Sequence, residues 1–348
     1  MQSPNTCATG AQVWSAQETQ KDTKTKFTFA ENRHGREKQQ IGKHTGQGIL
    51  MNNESMQRFH GVYPALVTPF DKAGRINQTV VREIVDWHLE VGVDGFYICG
   101  GTGEGLLLSA EERQQMLEAT VRAAAGRGKI IAHVATLDTA TTVELAQHAE
   151  AGGADAVSVL PPVYYKVDSP GLMEHYRLIA SATQLPLFVY HIPALTGKQM
   201  SVDEMRALLE IPNVSGLKFS DYDHFTMHRI CLLRDDLTVY SGNDEVFLSA
   251  LNLGANGGIG LTYNFMPQVY VGIYRAFLSD DIRRARELQW KSCAMIDAGF
   301  QVYGMGVAKA ALQHLGFDVG DPRRPLRALT PDERTLITER MDALGLTR

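Results

Sequence analysis

Lys218 interrupts an otherwise apolar stretch at 214–219, where an ammonium ion is costly to bury unless it is paired. Desolvation lowers a lysine pKa and supplies the neutral amine that Schiff-base chemistry needs. The same spacing is also compatible with a strand-end lysine held by a neighbouring carboxylate. Gly100-Gly-Thr-Gly-Glu104 precedes a helix whose cap is Ser109. Its glycines let backbone approach a ligand, and free amides near a helix start favour an anion such as a carboxylate. The turn is not a Rossmann GxGxxG and lacks the Lys-Ser/Thr of a phosphate loop. Tyr190 suits a proton shuttle or an aromatic filler. Asp244 and Glu245 suit binding of hydroxyls or capping of the helix that follows. His224 and His228 share a helix face at HxxxH spacing, but no zinc-protease glutamate or further ligand accompanies them, so they read as solvated helix histidines. His191 reads as a hydrogen-bonded strand residue rather than a metal ligand.

The elements that must position these residues follow a βα rhythm. Short apolar, β-branched runs lie at 62–70, 95–101, 129–135, 156–162, 185–192, 214–220, 237–242 and 257–263. They are apolar throughout rather than alternating, as parallel strands covered on both faces are. Helical patterns with start signals lie between them. Ser109-Ala-Glu-Glu112 and Ser201-Val-Asp-Glu204 are capping boxes, and Asn77 precedes an amphipathic stretch at 80–90. Eight such units predict a closed (β/α)8 barrel, with a doubly wound open sheet as the alternative. Further helical patterns at 267–278, 281–298, 303–315 and 331–344 form a C-terminal appendage. In a barrel of this kind the catalytic residues sit at the C-terminal strand ends. Those ends carry Cys99–Glu104, Tyr190–Pro193, Leu217–Ser220, Ser241–Glu245 and Leu261–Asn264.

Charge is uneven along the 348 residues. Residues 1–50 hold seven basic against four acidic side chains, whereas the remaining 298 hold 27 against 35. An acidic body argues against a nucleic-acid partner. The first stretch, rich in Gln, Thr, Lys and Gly, has no apolar period, and 1–56 is expected to be a disordered extension or to precede the real start at Met51 or Met56. The expected division is then a barrel at 57–265, followed by its last helix and the C-terminal helices at 266–348. No run approaches the roughly 18 apolar residues of a membrane helix. Four widely spaced cysteines (Cys7, Cys99, Cys231, Cys293) suit a reduced, cytoplasmic chain.

Gly-Gly-Thr-Gly-Glu (100–104), Tyr-His-Ile-Pro-Ala-Leu-Thr-Gly (190–197), Gly-Leu-Lys-Phe-Ser (216–220) and Gly-Asn-Asp-Glu (242–245) together resemble the pyruvate-dependent class I aldolases. That superfamily contains dihydrodipicolinate synthase and N-acetylneuraminate lyase. The resemblance runs from about 61 to at least 317. With Gly-Gly-Ile-Gly-x-Thr-Tyr-Asn (257–264), the motifs look most like the N-acetylneuraminate lyase branch. It implies a (β/α)8 barrel with C-terminal helices, a homotetramer, a small keto-acid or sugar-acid substrate, and no metal or organic cofactor beyond a covalent imine. Lys218 matches the Schiff-base lysine and Tyr190 the phenol that moves the proton. Thr102, flanked by Gly101 and Gly103, matches the hydroxyl that binds the keto-acid carboxylate. Tyr164 matches the relay tyrosine lent by a neighbouring subunit. Ser220, Gly242, Asp244 and Glu245, together with Ile259, match positions around the polyhydroxy part of a sialic acid.

Two departures bear on the substrate. Gly101 stands where the lyase pattern has serine, and Leu261 stands where it has a serine before Thr-Tyr-Asn. Pro193–Gly197 also lacks the arginine of dihydrodipicolinate synthase, which leaves a second substrate carboxylate without a partner. Cleavage of N-acetylneuraminate is the leading expectation. The alternatives are an aldolase or dehydratase for another 2-keto-3-deoxy sugar acid, a synthase-like condensation, and a non-catalytic keto-acid sensor.

Overall fold

A computed structural model describes residues 59–302 and 304–348. The expected 1–56 extension lies outside the described residues. Eight parallel strands form one sheet in the order β1-β8-β7-β6-β5-β4-β3-β2. They are β1 (Gly61–Pro64), β2 (Gly95–Ile98), β3 (Lys129–His133), β4 (Ala156–Val159), β5 (Leu187–His191), β6 (Val214–Phe219), β7 (Thr238–Ser241) and β8 (Gly257–Gly260). The sheet curls until its edges meet: Ala65 bridges Tyr97 in parallel, and the Leu66 amide donates to the Tyr97 carbonyl at 2.8 Å. Closure decides between the two expected architectures, and the chain is a (β/α)8 barrel.

The strands are shorter than their apolar runs, chiefly at the C-terminal ends. There the chain leaves the ladder and turns into the loops that carry polar residues. The helices follow the local signals. Ser109 caps Ala110–Ala124 and Ser201 caps Val202–Leu209 by complete capping boxes, and Asn77 caps Gln78–Val91. Pro267–Leu278, Ile282–Phe300, Gly306–His314 and Pro331–Ala343 follow the eighth strand. The core is continuous from the barrel interior to the helix layer, and Phe317, Ile337 and Met341 of the C-terminal segment are buried in it.

Candidate active site

The β5–β6 ladder pairs Tyr190 with Lys218. Both residues are buried, with Lys218 only 4% exposed. Its Nζ lies 4.3 Å from the centroid of the Tyr190 ring and 4.4 Å from that of Tyr97 on β2. Among the described residues, no carboxylate lies within 4.0 Å of that nitrogen. The paired-lysine reading therefore does not hold: the amine meets π faces instead. His133 on β3 packs edge-on against Tyr190, with ring centroids 6.0 Å apart. Burial, and next the Arg113 guanidinium, hold His133 well below the ordinary histidine range, so it is a neutral ring.

The loop after β2 presents Thr102 half-buried between exposed Gly101 and buried Gly103. Among the described residues, the amides of Gly101, Thr102 and Gly103 donate to no protein acceptor, as an anion-binding turn requires. The loop is held from several sides. The Thr68 hydroxyl donates to the Gly103 carbonyl at 2.6 Å. A side chain at Gly105 would collide with the Cys99 carbonyl. Glu104, in the left-handed region at φ 56°, sends its carboxylate inward to Lys309 at 2.8 Å and accepts from the Arg323 amide at 2.6 Å.

Asp244 and Glu245 adjoin in sequence but differ in surroundings. Asp244 is 7% exposed and accepts from the amide and hydroxyl of Thr262 at 2.7 and 2.6 Å. The Thr262 hydroxyl continues to Tyr270 and then Ser292, each step 2.6 Å. Burial raises the Asp244 carboxyl to about 6, against the pull of the Thr262 donors. Glu245 is half-buried and accepts from the Tyr222 hydroxyl, which that carboxylate pushes up to about 12. Neither caps the helix Phe247–Asn252, which has no side-chain cap; the capping reading is replaced by Thr262 and Tyr222 as partners. Ser220 sits against Gly242, where any side chain would collide with its hydroxyl. That hydroxyl is buried without a protein partner. Ile259 is buried on β8.

Tyr164 stands apart from this cluster. It is 88% exposed, its φ is 73°, and its ring packs edge-on against Tyr165 at 5.0 Å. It borders a cavity of about 640 Å³ that is also lined by Leu195, Thr196 and Lys198 and excludes Lys218. Within one chain the structure does not bring Tyr164 to the lysine.

The histidines need correction. His191 is a fully buried strand residue, but its ring nitrogens make no hydrogen bond, and Nε2 stops 3.6 Å from the Asp221 carboxylate. His224 and His228 are half-buried rather than solvated, and bond to Ser249 and to the Leu253 carbonyl, both at 3.0 Å. No group of three or more His, Cys, Asp or Glu side chains among the described residues converges as a metal site. Sequence reasoning missed Tyr97, His133 and Lys309, and carried Thr262 only as part of the 257–264 motif, without a role. Each lies in an ordinary apolar run or helix, and only register and crossover packing bring it to the site.

Known proteins resemble this chain in sequence and in fold. The model of the Dihydrodipicolinate synthetase family matches residues 58–344. An N-acetylneuraminate lyase of Rhizobium meliloti is 37% identical over 282 residues, which is 81% of this chain and 94% of that one. An N-acetylneuraminate lyase of Escherichia coli is 42% identical over 238 residues, covering 68% of this chain and 80% of its own. The sialic acid aldolase of Ruminococcus gnavus, solved as a catalytic lysine mutant, superposes with a TM-score of 0.80 at 29% identity, covering 83% of this chain and 96% of that one. The dihydrodipicolinate synthase of Aquifex aeolicus superposes with a TM-score of 0.79 at 32% identity, covering 83% and 99%. A match over nearly the whole barrel and its C-terminal helices places the chain in the Dihydrodipicolinate synthetase family.

Proposed function

We propose that this chain is a Schiff-base aldolase that cleaves N-acetylneuraminate to N-acetylmannosamine and pyruvate. The observation that carries it is the β5–β6 pair: a buried lysine with no carboxylate within 4.0 Å among the described residues, its amine 4.3 Å from the ring centre of a strand-adjacent tyrosine. The names of the relatives at 37% and 42% identity support the choice of sugar acid.

The reaction assigns each residue a task. The Gly101–Gly103 amides and the Thr102 hydroxyl receive the substrate carboxylate. The Lys218 amine attacks the C2 ketone, water leaves, and the iminium becomes an electron sink. Tyr190 takes the proton of the C4 hydroxyl, and the C3–C4 bond breaks to release the aldehyde. Its electron pair forms the pyruvate enamine, which takes a proton at C3 and is then hydrolysed back to free Lys218. A positioned acid/base of this kind contributes about 10²–10⁴-fold. Ser220, Gly242, Asp244, Glu245 and Ile259 surround the polyhydroxy part, and Asp244 and Glu245 accept from its hydroxyls. No metal or organic cofactor enters this sequence of steps.

The exposure of Tyr164 supports a homotetramer in which it completes a neighbour's site. No helix among the described residues is long and apolar enough to cross a membrane. The free thiols of Cys99, Cys231 and Cys293 suit a reducing compartment, and on that ground we assign the activity to the cytoplasm. Because Gly101 and Leu261 each remove a hydroxyl, a second reading keeps the chemistry and shortens the substrate to another 2-keto-3-deoxy sugar acid. The test is borohydride trapping with pyruvate, followed by product analysis over sialic and keto-deoxy acids. Labelling of Lys218 with release of N-acetylmannosamine is expected. Labelling elsewhere overturns the mechanism, and turnover of shorter acids alone overturns the substrate.

A further inference from the structure

Tyr97 has no role in the steps above, yet its ring is as close to the Lys218 amine as that of Tyr190, 4.4 against 4.3 Å. The two rings meet at 82°, so the amine lies in a corner with a π face on each side. The Tyr97 ring has little freedom. It is fully buried, and its hydroxyl donates to the Ser158 hydroxyl on β4 at 3.1 Å. A methyl at Gly100 would meet its Cε1 at 2.5 Å, so the backbone of the carboxylate-binding loop presses on the ring edge. Its backbone forms the seam that closes the barrel.

A protein carboxylate against the iminium nitrogen would accept its proton and so discharge the sink that draws electrons out of the C3–C4 bond, whereas the substrate's own carboxylate is engaged by the Gly101–Gly103 amides. π faces hold a cation through the ring quadrupole without that transfer, and they close off two directions of approach to the nitrogen. We propose that Tyr97 is a positioning residue for Lys218: with Tyr190 it forms a two-ring corner that aims the amine at the ketone and holds the iminium without a protein counter-carboxylate. The inference rests on the aldolase reading and adds the device that makes an unpaired buried lysine serviceable.

The experiment measures the rate of borohydride trapping at saturating pyruvate, together with competition by propionate, which carries the carboxylate but no ketone. Tyr97→Phe keeps the π face and is expected to trap within about 3-fold of the native rate, since only one uncharged hydrogen bond is lost. Tyr97→Leu is expected to slow trapping by about 30-fold, the equivalent of a ~2 kcal/mol desolvated cation–π contact, while propionate competes as before. Should Tyr97→Leu not fold, phenylalanine carrying one, two or three ring fluorines at position 97 keeps the shape and drains the π face, and is expected to slow trapping stepwise. A leucine or fluorinated variant that traps at the phenylalanine rate overturns the proposal. So does a loss of propionate affinity in step with trapping, because that marks a general collapse of the site. If the native protein is not labelled at all, the aldolase reading fails instead.

Discussion

Lys218 and Lys309 are both almost fully buried, at 4% and 2% exposure, and their surroundings are opposite in kind. Lys309, on Gly306–His314, faces the Glu104 carboxylate at 2.8 Å and donates to the Asp321 carbonyl at 3.0 Å. Its ammonium lies 4.1 Å from the Phe70 ring centre. Burial pulls its pKa down and Glu104 pulls it back up, which leaves a structural ion pair. Lys218 has two rings and no such partner. Burial alone therefore does not suit a lysine to the proposed nucleophilic role; the missing counter-charge does. The two lysines also divide the work: one faces the proposed reaction centre, and the other ties the proposed carboxylate-binding loop to the C-terminal segment. Arg323 of that segment reinforces the tie through its amide to Glu104 and its guanidinium to Glu112 at 2.6 and 2.7 Å.

Exchanging their fates is the strongest way to break this contrast. Lys218→Ala is expected to remove borohydride labelling and to lower turnover by roughly 10⁴-fold or more, with the melting temperature nearly unchanged. A variant that retains turnover would show that Lys218 is the second structural lysine. Lys309→Met is expected to do the reverse first: it strands the Glu104 charge and costs about 3–5 kcal/mol in urea unfolding. Adding Glu104→Gln is expected to restore part of that loss, because the stranded charge is then gone. If the two losses simply add, the pair is not an interacting unit.

Asp244 sharpens the comparison as a buried acid with hydrogen-bond donors but no cation within 4.0 Å among the described residues. Its folded pKa of about 6 lies above the ordinary 3.8. The folded state thus holds more protons between those values, and this group's contribution to stability falls as pH rises through that window. Asp244→Asn is expected to remove the slope, so the native-minus-variant stability difference changes by roughly 3 kcal/mol between pH 3 and 7. Chemical unfolding at both pH values checks it, and a constant difference refutes it.

The smallest effect concerns Leu261. Leu261→Ser is expected to raise kcat/KM for N-acetylneuraminate over a six-carbon keto-deoxy acid by about 2- to 13-fold, the range of one uncharged hydrogen bond. An unchanged ratio favours the shorter substrate.

Much of this was legible along the chain. Eight apolar runs separated by capped helices specify βα units, because strand burial and helix capping are local requirements. Lys218 stood out because a charge within an apolar strand is an anomaly that needs no partner to be noticed. Tyr97 did not stand out: an aromatic residue in Gly95–Ile98 is what a buried strand ordinarily holds. Lys309 did not either, since a lysine in a helix is ordinarily a solvated one. The strand ends were over-extended because apolar residues continue into the loops at the barrel mouth. The hydrogen-bonded reading of His191 and the capping alternative for Asp244 failed because hydrogen-bond partners depend on which neighbours arrive, and Thr262 arrives from another strand end.

The sequence by itself determined the βα order, the helix starts, the lysine–tyrosine candidates and the membership of a family, all of which rest on local pattern and residue type. Tertiary structure alone decided closure, through the Ala65–Tyr97 bridge. It also decided the register that sets Tyr190 beside Lys218, and the pairing of Glu104 with a lysine 205 positions later. The physical reason is that a charge's worth depends on its distance to other charges and dipoles in a dry interior. Those distances exist only once strands 28 residues apart have become neighbours.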